Sequence, residues 1–165
     1  MHASACYATL LRRINAMKRT ALITSLFLLL ATTISVAKKT SAEDAIRSVL
    51  NAQVEAWNSH DLEKFMQGYW RSPELTFFSG GQVSHGWDEA LERYRTRYQG
   101  ESHEMGKLEF ANLNVLPLSA NAALVRGEWH LTTLDEKNPH GLFTLIFRKF
   151  AEGWKIIHDH TSTAE

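Results

Sequence analysis

Four β-rich runs fill the C-terminal half of the chain, and they limit the possible folds more than any other feature. The runs cover residues 108–116, 122–134, 142–150 and 154–162. Long strands joined by short turns pair antiparallel. The preceding part of the chain has mainly helical spacing of its apolar residues. This order predicts an α+β domain in which a curved antiparallel sheet of about six strands wraps around three N-terminal helices.

The first residues of the chain have the composition of an export signal. A basic pair at positions 18–19 precedes an apolar run over 21–34, which ends in Ser35-Val36-Ala37. This pattern predicts a secretory signal peptide that is cleaved after Ala37, and Met17 is the expected true start. The alternative is a signal segment that is retained as a membrane anchor.

The amino-acid composition limits the class of protein that the chain after the predicted signal peptide can be. The one cysteine, Cys6, lies in the predicted leader and signal segment 1–37, which leaves no thiol in the single domain expected over 38–165. Lysine plus arginine equals aspartate plus glutamate, at 18 each, which disfavours nucleic-acid binding. The chain lacks a glycine-rich phosphate loop, so we expect no nucleotide cofactor. We expect a periplasmic or secreted protein without a membrane segment after cleavage.

Local signals place the elements before the long strands. Ser41 and Asp44 have the spacing of a capping box, and Gly80-Gly81 forms the turn between two short strands. The apolar spacing predicts helices over 41–57, 61–69 and 86–98.

Alternation along the strands predicts which side chains face the core. In the run 122–134 the apolar set includes Val125, Trp129 and Leu131, and in the next run it includes Phe143 and Leu145. In the last strand, strict alternation separates two sets. Trp154, Ile156, His158 and His160 share one face, and Ile157, Asp159 and Thr161 share the other. Hydropathy alone does not decide which set faces inward.

Three segments resemble the nuclear transport factor 2-like superfamily, which includes ketosteroid isomerase, SnoaL-type cyclases and the association (hub) domain of calcium/calmodulin-dependent protein kinase II. They are Glu55-Ala56-Trp57-Asn58-Ser59-His60-Asp61, His85-Gly86-Trp87-Asp88 and the last strand with its His158-Asp159-His160-Thr161-Ser162. The resemblance covers most of residues 41–162 and implies a cone-shaped, cystatin-like fold. It is closest to SnoaL-like and hub-like bacterial proteins, and it implies no single activity.

The resemblance also implies a register for the last strand, with Ile157, Asp159 and Thr161 facing inward. SnoaL-like cyclases carry an acid-base aspartate on this strand, so Asp159 is the candidate catalytic residue. A carboxyl in an apolar cavity has a raised pKa, which suits a general acid or base. The alternative is a structural aspartate that is hydrogen-bonded to a hydroxyl or an indole N–H.

We predict an apolar cavity in which Asp159 and Gln53 are the polar points. The expected ligand-binding residues are Trp57, Gln53, Phe77, Trp129, Phe143, Leu145 and Thr161. These aromatics could instead be ordinary core. The residues that ketosteroid isomerases use correspond to Gln53, Phe78 and a position near Ile146, so that chemistry is not expected. The three hub-domain arginine positions correspond to Trp129, Leu145 and Thr161, so that carboxylate site is not expected either.

The histidines of the last strand are expected on the outer face of the sheet. There His158 and His160 would contribute to a homodimer or larger homo-oligomer. A metal site with His130 is not expected, because the fifth strand would separate its strand from theirs.

Three functions remain open after the sequence is considered. The first is an exported domain that binds a small apolar or aromatic molecule in the cone. The second is an isomerase, cyclase or hydratase with Asp159 as acid-base, and the third is an oligomerisation module.

Overall fold

Three helices and six strands make up the part of the chain that the computed structural model describes, residues 41–100 and 105–164. The helices are α1 (Ala42–Asn58), α2 (Leu62–Met66) and α3 (Trp87–Tyr98). The strands are β1 (Thr76–Ser79), β2 (Gln82–His85), β3 (Lys107–Pro117), β4 (Ala122–Thr132), β5 (His140–Phe150) and β6 (Gly153–Thr161). This composition confirms the predicted α+β class. The predicted segment 1–37 lies outside the described residues, among which no helix has the length and apolarity to span a membrane.

Side-chain caps fix the starts of two helices, and the cap at Ser41 is the predicted capping box. The backbone N–H of Asp44 donates to the Ser41 hydroxyl at 3.0 Å, and the Asp44 carboxylate accepts from the Ser41 N–H at 3.4 Å. This capping box fixes the first turn of α1. At α2, the Asp61 carboxylate accepts from the backbone N–H of Lys64 at 2.9 Å. Helix α2 ends at Met66, earlier than the prediction of residue 69.

The six strands form one mixed sheet in the order β2-β1-β6-β5-β4-β3. The prediction of an antiparallel sheet is wrong at one pair, because β1 runs parallel to β6. The reason is the path of the chain. After the β1–β2 hairpin the chain crosses through α3 to the far edge of the sheet and returns by three antiparallel steps, so β6 reaches β1 in the same direction.

The hairpin between β1 and β2 turns through two glycines. Gly80 and Gly81 have φ angles of 57° and 72°. A two-residue turn with positive φ at both positions matches the right-handed twist of the strands, and glycine adopts it without steric cost. The predicted turn is confirmed at these residues.

A β-bulge interrupts the alternation of β6. Phe147 pairs with Ile156, but the neighbouring Ile146 pairs with His158, which leaves Ile157 as an extra residue. As a result Ile156 and Asp159 are both buried, at 0% and 3% exposure, although strict alternation placed them on opposite faces. The prediction that Ile157 faces inward is wrong, because Ile157 is the bulged residue.

The segment after α2 holds the strand at this bulge. The backbone N–H of Ile156 donates to the Gly68 carbonyl, and the N–H of Trp70 donates to the Ile156 carbonyl, both at 2.9 Å. Tyr69 therefore forms a parallel bridge with Ile156. The N–H groups of residues 67–69 still bond to carbonyls three residues back, as in a tight last turn. The Gly68 carbonyl and the Trp70 N–H bond to β6 instead, so the helix does not continue past Tyr69.

The main core lies between the helices and one face of the sheet. Its fully buried side chains include Ile46, Leu50, Met66, Val125, Phe147 and Ile156. Helix α1 packs against β3, α2 and β6. The position of the bulge brings Trp154 and Ile156 into this core, which stabilises the fold through burial of apolar surface.

Deletion of Ile157 should remove the bulge and leave the facing of both halves of β6 unchanged. In the shortened strand Trp154, Ile156 and Asp159 follow one another at intervals of two residues, so all three still face inward. We expect the free energy of unfolding to fall by only about 1–2 kcal/mol.

The matched control deletes Arg126, at which β4 pairs with β5 without a register shift. That deletion puts Val125 and Trp129 on opposite faces and should cost about 3–6 kcal/mol, because the buried side chains on one side of it leave the core. Urea unfolding measures both changes, and equal losses for the two deletions would contradict the bulge assignment.

Candidate ligand-binding site

A cavity of about 80 Å³ lies between the helices and the inner face of the sheet. All the residues predicted to bind a ligand line it, together with Asp159. They are Gln53 and Trp57 from α1, Phe77 from β1, Trp129 from β4, Phe143 and Leu145 from β5, and Thr161 from β6. The predicted ligand-binding residues in the cavity wall thus come from one helix and four strands.

Asp159 is the buried carboxyl of this cavity. Its Oδ2 accepts a hydrogen bond from the Tyr69 hydroxyl at 2.7 Å, and its Oδ1 accepts one from the Thr161 hydroxyl at 2.8 Å. Burial raises the pKa of Asp159 to about 6, and the two hydrogen bonds and the charge of His160 oppose that rise. The group can thus change its protonation state within about one pH unit of neutrality.

Two tyrosine hydroxyls extend the polar group away from Asp159. The hydroxyl oxygens of Tyr69 and Tyr94 are 3.4 Å apart. Burial and the Asp159 charge raise the pKa of both tyrosines well above the usual value, so both hydroxyls keep their protons at neutral pH. Tyr69 has one proton, and the short contact directs it to Asp159. Tyr94 must then be the donor in the longer contact, and that weak bond leaves its proton available to a ligand.

An aromatic cluster forms the helical side of the cavity. The ring of Trp57 packs edge-on against those of Phe65, Tyr94 and Tyr98, at centroid distances of 5.3, 6.0 and 4.8 Å. Its indole N–H points the other way and donates to the Met105 carbonyl at 3.1 Å. Because its one donor is used there, Trp57 offers a ligand its ring and no hydrogen bond.

Two other predicted residues also use their donors within the protein. The Gln53 amide donates to the Phe65 carbonyl at 3.2 Å, and the Trp129 indole donates to the Ser162 carbonyl at 3.0 Å. The Trp129 ring has space for this contact because Gly141, opposite it on β5, has no side chain. Trp129 thus offers a ligand only its ring, whereas the Gln53 amide also has a second N–H and an oxygen. Asp159 is the charged acceptor with capacity for a ligand.

The cavity is more polar than the sequence indicated. The prediction that Asp159 and Gln53 are its only polar points is wrong. The additional polar residues are Tyr69, Ser79, Arg93, Tyr94, Arg97, Tyr98 and Thr163. The tyrosines of α3 carry the apolar spacing of a core helix, and that spacing gives no sign that their hydroxyls face a cavity. The signal that could have revealed this is the repeat of an arginine and a tyrosine at 93–94 and again at 97–98.

The histidines of β6 lie outside the cavity. His158 is half-buried and its Nδ1 is 2.6 Å from the Thr76 hydroxyl, whereas His160 is exposed. The ring of Phe78 on β1 contacts both imidazoles, at centroid distances of 4.9 and 5.9 Å. His130 lies on β4, with β5 between its strand and β6. The structure therefore does not bring His130 together with His158 and His160.

Comparison with known proteins identifies relatives of this chain. The model of the SnoaL-like domain matches residues 46–164. A solved structure of a nuclear transport factor 2-like protein of unknown function from Shewanella oneidensis is 39% identical, with 74% of this chain and 99% of that chain covered and a TM-score of 0.69. The comparison with curated proteins gave no match.

More distant solved structures share the fold. A nuclear transport factor 2-like superfamily protein from Salmonella enterica is 21% identical over 75% of this chain and 92% of that chain, with a TM-score of 0.64. A putative calcium/calmodulin-dependent protein kinase type II association domain from Thiobacillus denitrificans is 18% identical over 72% and 94%, with a TM-score of 0.61. The family model and the 39% identical relative lead to one conclusion: this chain belongs to the SnoaL-like domain family, with the nuclear transport factor 2-like fold.

Proposed function

We propose that this domain binds a small, largely apolar or aromatic molecule in the cavity, with Asp159 as its polar anchor. The observation that carries the proposal is the position of one buried carboxylate within a wall of aromatic side chains. A carboxylate is costly to bury, and it is placed here beside a space that a ligand can enter. Convergent polar groups in an otherwise apolar pocket are typical of small-molecule sites.

The polar atoms define what the ligand must offer. An ionised carboxylate can accept about four hydrogen bonds, and Tyr69 and Thr161 supply two of those that Asp159 accepts. Asp159 can therefore accept a further bond from a ligand N–H or O–H. Tyr94 can donate its hydroxyl proton to a ligand oxygen or nitrogen. The matching ligand has a donor and an acceptor close together at one end.

The size of the cavity limits the ligand further. Its volume is about 80 Å³, whereas an apolar cavity of about 150 Å³ accommodates benzene. A ligand with an aromatic ring must therefore displace side chains or extend through the mouth. Arg97 on α3 and Thr163 after β6 are the exposed residues of the cavity lining, so a larger ligand would extend past them.

A second candidate function is acid-base catalysis of the isomerase, cyclase or hydratase type. The observation that favours it is the pKa of Asp159, which burial raises to about 6. A general base works best when its pKa lies near the working pH. Asp159 would take a proton from the bound molecule, and Tyr94 would donate a hydrogen bond to the oxygen on which negative charge develops.

A third candidate is self-association through the outer face of the sheet, as expected from the sequence. Phe78, His158 and His160 form an aromatic group on that face. A fold neighbour is described as a putative association domain, which is in keeping with this candidate. Association and ligand binding would use opposite faces of the sheet, so one domain can do both.

Native mass spectrometry of the protein from Lys38 onward tests binding and association together. We expect wild type, purified under mild conditions, to release a small molecule in stoichiometric amount when the activation energy is raised. Asp159→Asn should retain about tenfold less, because it loses a charge-assisted hydrogen bond in a buried site. The control His160→Gln changes the same strand on its outer face and should retain the ligand.

The same spectra report the oligomeric state. A dimer that His160→Gln weakens and Asp159→Asn preserves would support association through the outer face. Wild type that carries no ligand, or equal retention by wild type and Asp159→Asn, would contradict the role of Asp159 as anchor. A strictly monomeric wild type would contradict association.

The raised pKa of Asp159 should appear in the pH dependence of the free energy of unfolding. The folded protein binds this proton more tightly than the unfolded chain, whose aspartate pKa is about 3.9. The stabilisation is complete below about pH 4 and is lost as the pH rises through about 6. Relative to Asp159→Asn, wild type should thus lose about 2 kcal/mol between pH 4 and pH 7.

Urea unfolding of both proteins at several pH values measures this difference. Other titrating groups are common to the two proteins, so their contributions cancel. A difference in stability that does not change with pH would show that Asp159 has an ordinary pKa.

A further inference from the structure

One face of α3 lines the cavity with an arginine and a tyrosine in each of two turns. Arg93 and Tyr94 are followed four residues later by Arg97 and Tyr98, and all four side chains line the cavity. Residues four apart lie above one another on a helix. The helix therefore brings two positive charges to a cavity whose buried end holds a negative one.

Arg93 is already occupied by contacts within the protein. Its guanidinium donates to the Ser79 carbonyl at 2.7 Å and to the Ser84 hydroxyl at 3.5 Å. It also lies over the Phe77 ring, with 5.2 Å between the guanidinium carbon and the ring centroid. These contacts attach α3 to the β1–β2 hairpin, so Arg93 has a structural role.

Arg97 is in a different state, one turn further along α3. It is exposed, and its guanidinium carbon lies 5.6 Å from the centroid of the Tyr98 ring. Within residues 41–100 and 105–164, no carboxylate pairs with it. Arg95, on the same helix and outside the cavity, instead forms an ion pair with Glu63 at 2.8 Å. Of the three arginines on α3, Arg97 is thus the one whose guanidinium donors remain available to a ligand.

A series of contacting polar and aromatic side chains connects Asp159 to Arg97 along the cavity. Asp159 contacts Tyr69, Tyr69 contacts Tyr94, the Tyr94 and Tyr98 rings stack at 6.1 Å, and Arg97 covers Tyr98. This series runs from a buried carboxylate to an exposed guanidinium. A ligand that follows it meets negative charge at the inner end and positive charge at the mouth.

We propose that the molecule bound in this cavity is an organic carboxylate. Its largely apolar body lies inside, with a hydrogen-bond donor next to Asp159, and its carboxylate pairs with Arg97 at the mouth. The planar guanidinium fork matches a carboxylate in two-point contact. The opposite orientation would place the ligand carboxylate beside Asp159, where like charges repel. This inference rests on the proposed binding function and specifies the class of ligand.

The experiment compares two probes of nearly equal shape that differ in charge, 3-(4-hydroxyphenyl)propionate and 3-(4-hydroxyphenyl)propanamide. In both, the phenol hydroxyl supplies the donor for Asp159 and the acceptor for Tyr94. Isothermal titration calorimetry at pH 7.5 and low salt gives Kd for each probe on wild type, Arg97→Gln, Arg97→Lys and Arg95→Gln. We expect wild type to bind the acid about tenfold more tightly than the amide, as for one charge-assisted hydrogen bond at an exposed site. The ratio should fall to about one in Arg97→Gln, be partly kept in Arg97→Lys and be unchanged in Arg95→Gln.

Each other outcome has a distinct meaning. Equal binding of acid and amide by wild type overturns the carboxylate assignment and leaves cavity binding in place. No binding of either probe overturns this inference and the proposed binding function together. Equal loss of the acid preference in Arg95→Gln and Arg97→Gln shows that the net charge of α3 is responsible, which overturns the assignment to Arg97. Thermal unfolding of each variant, monitored by circular dichroism, shows that it is folded before it is titrated.

Discussion

The hydrogen bond from Tyr69 to Asp159 is the interaction on which the inner face of this domain depends. A carboxylate with 3% exposure needs partners for its oxygens, and Tyr69 supplies one at 2.7 Å. The bond requires that Tyr69 lie beside β6, and the backbone bonds of Gly68 and Trp70 to Ile156 place it there. Local backbone pairing and the buried polar group thus support each other.

The bulge at Ile157 makes the core and the site compatible. Without it, β6 could present either its apolar residues Trp154 and Ile156 or its aspartate to the interior. With it, the first half of β6 contributes to the core under α1 and the second half contributes Asp159 and Thr161 to the cavity. The bulge therefore allows one part of β6 to pack in the core while the other part lines the cavity.

Much of this arrangement could be predicted because it depends on local pattern. The capping box of α1 and the glycine turn need only nearby residues, and the alternation in β4 and β5 follows from burial of one face. The bulge could not be predicted, because it depends on which backbone groups a distant segment offers to Ile156. The polar role of α3 was missed because the spacing of its tyrosines is that of a core helix. The repeat of an arginine and a tyrosine at 93–94 and 97–98 is its local sign, and the tertiary position of the helix turns Tyr94 and Arg97 toward the cavity.

Titration of the Asp159 carboxyl by carbon-13 NMR tests most directly whether this buried group is poised to bind or react. Aspartate labelled at the carboxyl carbon gives a signal that is assigned by its loss in Asp159→Asn. The midpoint should lie at about pH 6, and Tyr69→Phe should move it higher because a bond that favours the ionised form is lost. A midpoint at about 3.9, the value of an exposed aspartate, would contradict the role given to Asp159.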